Sequence, residues 1–230
     1  MNVADRFAQL TTPHIADAAL QFRLPLRLAP AGLRPVHATA RRVAGRAVPV
    51  IHRGSVDVFL EANARASRGD VLVIDNEGRL DEACIGDLTV LDAWSAGIAG
   101  VLVWGFHRDT AELQQIALPV FSYGAFAGGP QRLDPPSSRA PMFGDAPISA
   151  DDYVFADDDG AIFIESARVT EVLDAADRIA IVERRQAATI RDGRSLRAQL
   201  RFEEYLAIRE RDPSYTLRMH LAEVGGAVEV

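Results

Sequence analysis

Two short apolar runs, each walled by turn-forming residues, constrain this chain more than any other feature. Val71-Leu72-Val73-Ile74 follows Gly69-Asp70 and ends at Asp75-Asn76-Glu77-Gly78, and Val101-Leu102-Val103-Trp104 sits between Gly100 and Gly105. A continuous apolar run bounded in this way reads as a fully buried strand. Helical patterns alternate with these runs. Val56 to Ala66 precedes the first, with Val56, Phe59, Leu60 and Ala64 predicted on one face; Gly86 to Gly97 separates the two; Thr110 to Ile116 follows the second and leads to a strand over Leu118 to Ser122. Strands alternating with helices predict an α/β class with a layered sheet.

The flanks are less regular. Residues 1–20 predict a short helix and then a second helical start, with Thr11 or Thr12 as N-cap and Pro13 at the first helical position. Residues 21–35 carry three prolines and read as loop. Arg41 to His52 predicts a strand whose edge is marked by Pro49. Ala125 to Ala146 is rich in Gly, Pro and Ser and predicts a long loop. Asp152 to Gly160 repeats the strand-then-acidic-turn pattern of Gly69 to Gly78, so two equivalent strand–turn–strand corners are expected in one sheet system. These turns are expected to be solvated and not calcium loops, because an EF-hand loop with its glycine at Gly160 would begin at Phe155, which cannot be a ligand. From Ser166 the chain turns helical, with Val169, Val172, Leu173, Ala176, Ile179 and Ala180 as one stripe, a break at Asp192-Gly193, and further helix over Leu196 to Ile208. The expected organisation is a main domain over residues 1–190 and a helical C-terminal extension over 191–230. Charges after Glu165 nearly cancel, which marks that tail for packing or oligomerisation and not as a basic arm.

Composition removes whole classes of function. All 25 basic residues are arginine, so no Schiff-base lysine, P-loop lysine or kinase strand lysine exists. Carbanion chemistry here needs a metal ion as its electron sink. The net charge of −7 disfavours a general nucleic-acid or anionic-membrane surface. The single cysteine, Cys84, can form no intrachain disulfide and supplies too few thiols for a cysteine-built zinc site. No apolar run approaches membrane-spanning length and no secretory pattern stands at Met1 to Arg6, so a cytoplasmic location is expected.

The residues able to carry chemistry gather in two segments. Ala83-Cys84-Ile85-Gly86-Asp87-Leu88-Thr89 leaves a turn and enters a helix, whose free N–H groups suit a carboxylate or phosphate. Gly105-Phe106-His107-Arg108-Asp109-Thr110 stands at the end of a buried strand, where open α/β sheets collect ligands. Arg108 can grip a carboxylate with two parallel hydrogen bonds, and Asp109 can hold a hard divalent ion. Each also has a plain structural role available. Asp87 is favoured at a helix start by the dipole, His107 suits packing, and Cys84 suits a small buried position. Ser122 and Ser55 lack a nucleophile-elbow setting. His107-Arg108-Asp109 spells a kinase catalytic-loop triplet, but Gln114 stands where that pattern wants asparagine.

With these residues in view, Gly69 to Gly124 resembles the family containing the regulator of ribonuclease activity A and the 4-hydroxy-4-methyl-2-oxoglutarate aldolases. The matching pieces are Gly69 to Asn76, Gly86-Asp87-Leu88, Gly100 to Gly105, Arg108-Asp109 and Pro119-Val120-Phe121, with Thr12 to Leu20 and Asp157 to Gly160 fitting on either side. The resemblance covers residues 5 to 190, and the tail after Arg194 resembles an extension carried by part of the family. It implies a layered β/β/α swivelling-type fold assembled as a homotrimer or homohexamer. The aldolase branch has an acid, twenty residues, then Arg-Asp; here Asp87, the stretch Leu88 to His107, and Arg108-Asp109 reproduce that spacing. The ribonuclease regulators are said to lack it. Phe106 and His107 depart from the small or aliphatic residues common in the aldolases, which bears on the substrate.

The resemblance implies a role for each residue. Asp109 would bind Mg²⁺ or Mn²⁺ largely through waters. Arg108 would hold the carboxylate or keto oxygen of a small 2-oxo acid. The backbone of Gly86, Asp87, Leu88 and Thr89 would receive the carboxylate, and Asp87 would position or deprotonate a water. The implied activity is a class II aldolase or decarboxylase working through a pyruvate enolate, on 4-hydroxy-4-methyl-2-oxoglutarate, a relative of it, or oxaloacetate. The rival expectation is a non-catalytic regulator that binds a protein such as a ribonuclease. Demethylmenaquinone methylation, an old label in the family, finds no G-x-G-x-x-G motif here.

Overall fold

The computed structural model describes residues 2–39, 41–136 and 138–224. In chain order its elements are α1 (Val3–Phe7), α2 (Thr12–Gln21), β1 (Arg27–Leu28), β2 (Arg34–Pro35), β3 (Val43–Ile51), α3 (Asp57–Arg65), β4 (Val71–Ile85), α4 (Asp87–Ser95), β5 (Gly100–His107), α5 (Thr110–Leu113), β6 (Val120–Ser122), β7 (Met142–Phe143), β8 (Ala146–Pro147), β9 (Asp152–Asp157) and β10 (Gly160–Glu165), followed by α6 (Val169–Arg191), α7 (Leu196–Gln199), α8 (Phe202–Arg211) and α9 (Leu217–Val224). They fall into two compact units. The first takes in the chain up to Pro13 and Leu26–Thr170, and the second takes in His14–Pro25 and the chain from Glu171 onward. The sequence-based boundary at 190 falls in the last turn of α6, while the units divide near that helix's start; residues 225–230 of the expected extension lie outside the described residues.

In the first unit eight strands run in the order β1-β10-β9-β3-β4-β5-β6-β2. β3 is the member common to two systems. Its first part, Val43 to Arg46, pairs antiparallel with β9, and its second part, Ala47 to Ile51, pairs parallel with β4. Pro49 lies in that second part, beyond the last β9 partner, where a missing N–H breaks no antiparallel ladder. The expected edge is therefore an edge for half of the strand only.

The two apolar runs become neighbouring parallel strands, with Val71 opposite Gly100 and Ile74 opposite Val103. Successive side chains point to opposite faces. Leu72, Ile74, Val101 and Val103 join Phe59, Ala62, Val90 and Ala93 in one core beneath α3 and α4. Val71, Val73 and Leu102 join Phe121, Phe143, Val154 and Phe163 in a second core on the other face. Each run is apolar throughout because it has helices on one side and a strand layer on the other. This is the layered β/β/α arrangement expected.

Several local expectations are corrected. Asp75 to Gly78 does not end the strand. β4 continues to Ile85 with register shifts, so that Asp75 faces Trp104 but Arg79 already faces Gly105, and the extra residues bulge out with Glu77 and Gly78 at φ 58° and 64°. The second acidic turn is different in kind, closing a regular antiparallel hairpin between β9 and β10. The corners are not equivalent. In α3, Phe59 is buried, but Val56 and Leu60 are exposed; the packed face is Phe59, Ala62 and Asn63, and the Asn63 amide donates to Asp92 at 2.8 Å. Residues 21–35 include the two-residue strands β1 and β2, and the long loop includes β7 and β8.

All six residues of the α6 stripe are buried, Val169 in the first unit and the other five in the second. Gly193, at φ 94°, makes the break expected after α6. Tyr205, Tyr215 and His220 form an aromatic cluster, and His220 Nε2 lies 2.8 Å from the Leu200 carbonyl. His14 Nε2 meets the Glu183 carboxylate at 2.9 Å; burial, and then Glu183, hold the nearby Asp17 carboxyl above its ordinary range.

Candidate active site

The site is built where parallel β4 and β5 end side by side. Ile85 pairs with His107, and the Arg108 N–H donates to the Ile85 carbonyl at 3.0 Å. After β4 the chain turns at Gly86 into α4, and after β5 it turns at Arg108-Asp109 into α5. Gly86 is required by what faces it, since a Cβ there would stand 2.3 Å from Asp109 Oδ2 and 3.3 Å from Arg108 Cγ. Asp109 adopts φ 60° and ψ 43°, a left-handed conformation that aspartate tolerates better than most residues. Its Oδ2 lies 3.4 Å from the Asp87 N–H and 3.5 Å from Arg108 Nε.

All the residues singled out in the sequence are thus brought to one corner. Their contacts within the fold are specific. Asp87 Oδ1 accepts the Leu88 N–H at 2.8 Å, so its carboxylate already occupies an anion position at the helix start. The Thr89 hydroxyl accepts the Gly86 N–H at 3.1 Å and donates to the Gly86 carbonyl at 2.8 Å, locking the turn. Arg108 is half-exposed and Asp109 partly so.

The neighbours are structural. His107 is buried, with Nδ1 2.6 Å from Ser122 Oγ and Nε2 3.0 Å from Thr110 Oγ1, and burial pushes its pKa down. Both ring nitrogens are engaged within the fold, so His107 packs as expected and Ser122 serves as its partner. Cys84 is buried and its thiol is pushed strongly up by desolvation, which fits an inert thiol.

A second layer went unnoticed in the sequence. The long loop passes over Arg108, since a Cβ at Gly129 would lie 3.1 Å from Arg108 Nη1, and the Gly128 carbonyl accepts the Ala83 N–H at 2.8 Å. Two loop arginines hold it down. Arg132 Nη2 donates to Glu82 at 2.9 Å and to Asn76 Oδ1 at 3.1 Å, and it also pairs with Asp134; Arg139 pairs with Asp75 and with Glu77. Asn76 Oδ1 also meets His52 Nδ1 at 2.8 Å, and burial holds that imidazole below its ordinary range. The available signal was a pair of arginines in a loop rich in Gly, Pro and Ser, facing the acids Asp75, Glu77 and Glu82.

The donors present suit a hard divalent ion. Asp109, with Asp87 beside it, supplies carboxylate oxygen on a partly exposed edge, and the missing side chain at Gly86 is what gives Asp109 its room. Among the described residues no three His, Cys, Asp or Glu side chains converge as a cage. Asp109 and Asp87 are the donors this corner offers, and Mg²⁺ and Mn²⁺ are ions that take few protein carboxylates and keep their waters.

An α/β protein with an Arg-Asp pair facing a helix start across parallel strand ends is the class defined by this geometry. Residues 12–163 match the family model RraA-like, described as Aldolase/RraA, and the chain belongs to that family. It is similar to DlpA of Legionella pneumophila, 31% identical over 134 residues, 57% of this chain and 22% of that protein. It is also similar to a protein of Halalkalibacterium halodurans provisionally named a 4-hydroxy-4-methyl-2-oxoglutarate aldolase, 32% identical over 118 residues, 51% of this chain and 56% of that one. The matches thus span about a fifth and just over half the length of these relatives. Among solved structures, a Pseudomonas syringae protein superposes with a TM-score of 0.73 at 24% identity, covering 84% of this chain and 94% of that one. Streptomyces coelicolor RraAS2, described as an unusual member of the RNase ES inhibitor RraA family, superposes with a TM-score of 0.66 at 22% identity, covering 76% and 90%. These two structures speak for the fold. No helix among the described residues is long and apolar enough to cross a membrane.

Proposed function

We propose that the chain is a divalent-metal-dependent carbon–carbon lyase that cleaves or decarboxylates a small 2-oxo acid through a pyruvate enolate. The observation that carries this reading is the Gly86 gap, which lets Asp109 sit against the start of α4 with Arg108 beside it. Asp109 would hold the ion, Mg²⁺ or Mn²⁺, which when bound supplies Lewis acidity to the substrate's oxygens. Arg108 would grip the substrate carboxylate or keto oxygen and stabilise the negative charge that develops there, a contribution worth about 10²–10³ in rate at such sites. The helix start would receive the carboxylate through the N–H groups of Asp87, Leu88 and Thr89. Because Asp87 already accepts the Leu88 N–H, its carboxylate must rotate out as substrate enters. Rotated out, it is placed to take the C4 hydroxyl proton through a water. The C4 oxygen then forms a carbonyl as the C3–C4 bond breaks, so the C4 fragment leaves as a second carbonyl product while the bond's electron pair passes into the enolate, which is protonated to pyruvate. From oxaloacetate the leaving group is carbon dioxide, and no hydroxyl proton need be removed.

The rival reading, a regulator that binds a protein, is favoured by a different observation. Leu88 and Trp94 on α4 are 75% and 54% exposed, and Trp94, Leu91 and Asp87 line a cavity of about 440 Å³. Such a face also suits a homotrimer or homohexamer, which we propose as the assembly, in the cytoplasm and without nucleic-acid or membrane partners.

The test is pyruvate release from 4-hydroxy-4-methyl-2-oxoglutarate and from oxaloacetate, with Mg²⁺, Mn²⁺ or EDTA and with enzyme-free controls. Metal-dependent release is expected, with Asp109→Asn abolishing it and Gly86→Ala lowering it by about 10²-fold through displacement of Asp109. Wild-type turnover by Asp109→Asn would sink the assignment. Release of no pyruvate from either substrate would move the weight to the regulator.

A further inference from the structure

The second unit carries a groove that the site chemistry does not use. Its cavity of about 600 Å³ is lined by Arg178, Ile181, Val182 and Arg185 of α6, with Leu200 and Val224 among the residues that complete it, and by a third arginine, Arg194. Among the described residues no carboxylate lines it. This is unexpected in a chain of net charge −7. The near-balance of charge after Glu165 conceals a local excess: residues 178–201 hold seven arginines against two carboxylates, Glu183 and Asp192.

The pattern within the groove is specific. Positions 178, 181, 182 and 185 share one helical face, opposite to the buried stripe of α6. Arg178 and Arg185 are seven residues apart, about 10.5 Å along the axis. Between them Ile181, 59% exposed, and Val182 present apolar surface, matched by Leu200 and Val224. The order is therefore cation, apolar strip, cation. Arginine is suited to bidentate contact with a carboxylate, and its weak hydration lowers the cost of that pairing. The volume lies within the range of small-molecule sites and is small for a docked protein surface.

We propose that this groove binds a medium-chain α,ω-dicarboxylate, with one carboxylate at Arg178, the other at Arg185, and the carbon chain over Ile181 and Val182. Arg194 closes on one of the two heads.

Isothermal titration of the full chain with decanedioate is expected to show one saturable site. Decanoate loses one head and succinate loses the span, and each should bind about tenfold or more weakly. Arg178→Gln and Arg185→Gln should each weaken decanedioate about tenfold, with unchanged circular dichroism and melting temperature because both side chains are exposed. Arg185→Lys should recover part of the loss. Equal affinity for decanedioate and decanoate, no saturable binding, or no effect of either glutamine variant would overturn the proposal. An acidic amphipathic helical peptide that displaced decanedioate and bound tenfold more tightly would overturn it in favour of protein docking. None of these outcomes bears on pyruvate release, so the two readings fail separately.

Discussion

The chain writes two acidic corners in nearly the same letters, Asp75-Asn76-Glu77-Gly78 and Asp157-Asp158-Asp159-Gly160, and folds them differently. At the second, β9 turns straight back into β10. Asp157 accepts the Thr12 N–H at 2.8 Å and its hydroxyl at 2.7 Å, and Asp158 meets Arg41 on the exposed surface. At the first, the neighbour is the parallel strand β5, and a parallel neighbour cannot be reached by a tight turn. The chain bulges instead: buried Asp75 and exposed Glu77 both pair with Arg139 of the long loop, while Asn76 and Glu82 receive Arg132. The difference teaches that an acidic turn closes a tight hairpin only when its strand partner is the next segment of chain, and even then its first acid, Asp157, is buried. Where the partner lies elsewhere, the same letters bulge, and a buried acid, Asp75, receives an arginine of the long loop, whereas the hairpin's Asp158 meets Arg41 at the exposed surface.

That contrast can be broken from either side. The largest effect is expected from Glu82→Ala. Glu82 is 3% exposed, and its removal leaves Arg132 without its buried carboxylate and takes away one of the two arginine anchors of the loop over Arg108; thermal and urea unfolding should show a loss of about 3–5 kcal/mol. Asp157→Ala at the hairpin should cost about 1–3 kcal/mol by the same measurements, because a buried N–H and a hydroxyl lose their acceptor. A pH series sharpens the comparison further. Burial holds the folded pKa of both His52 and His107 below the ordinary 6.5, so the unfolded chain takes up protons first as pH falls. Stability is therefore expected to be full above about pH 6.5 and to decline below it, with His52→Gln flattening the decline. A melting temperature that did not fall between pH 7 and 5.5 would contradict this. The smallest effect is expected from Asp158→Ala, whose pair with Arg41 is solvent-exposed and should be worth about 0–1 kcal/mol.

The same contrast shows what could be read from the letters. The runs at Val71 and Val101 announced themselves because a strand covered on both faces leaves no polar position to confuse with a loop. The α6 stripe was equally plain. The Arg108-Asp109 segment could be placed because it ends a legible strand, whereas Gly86-Asp87 was legible only as a helix start after a turn and was linked to it by the family's spacing. The face of α3 was misphased because Asn63, not an apolar residue, completes it by donating to Asp92. The loop arginines were opaque for another reason: their partners lie some fifty to sixty-five residues away in sequence, and no local period links Arg132 to Glu82 or Arg139 to Asp75.

The double allegiance of β3 also has a kinetic side. Its first residues wait for β9, on the order of a hundred residues later in the chain, while its second part needs only β4. A chain emerging from synthesis can zip the parallel half early, but it must hold the other half open until β9 and β10 arrive. Val43 to Arg46 would then be the last backbone to gain protection from hydrogen exchange during refolding. Any delay there leaves an unpaired strand edge available to a neighbouring molecule.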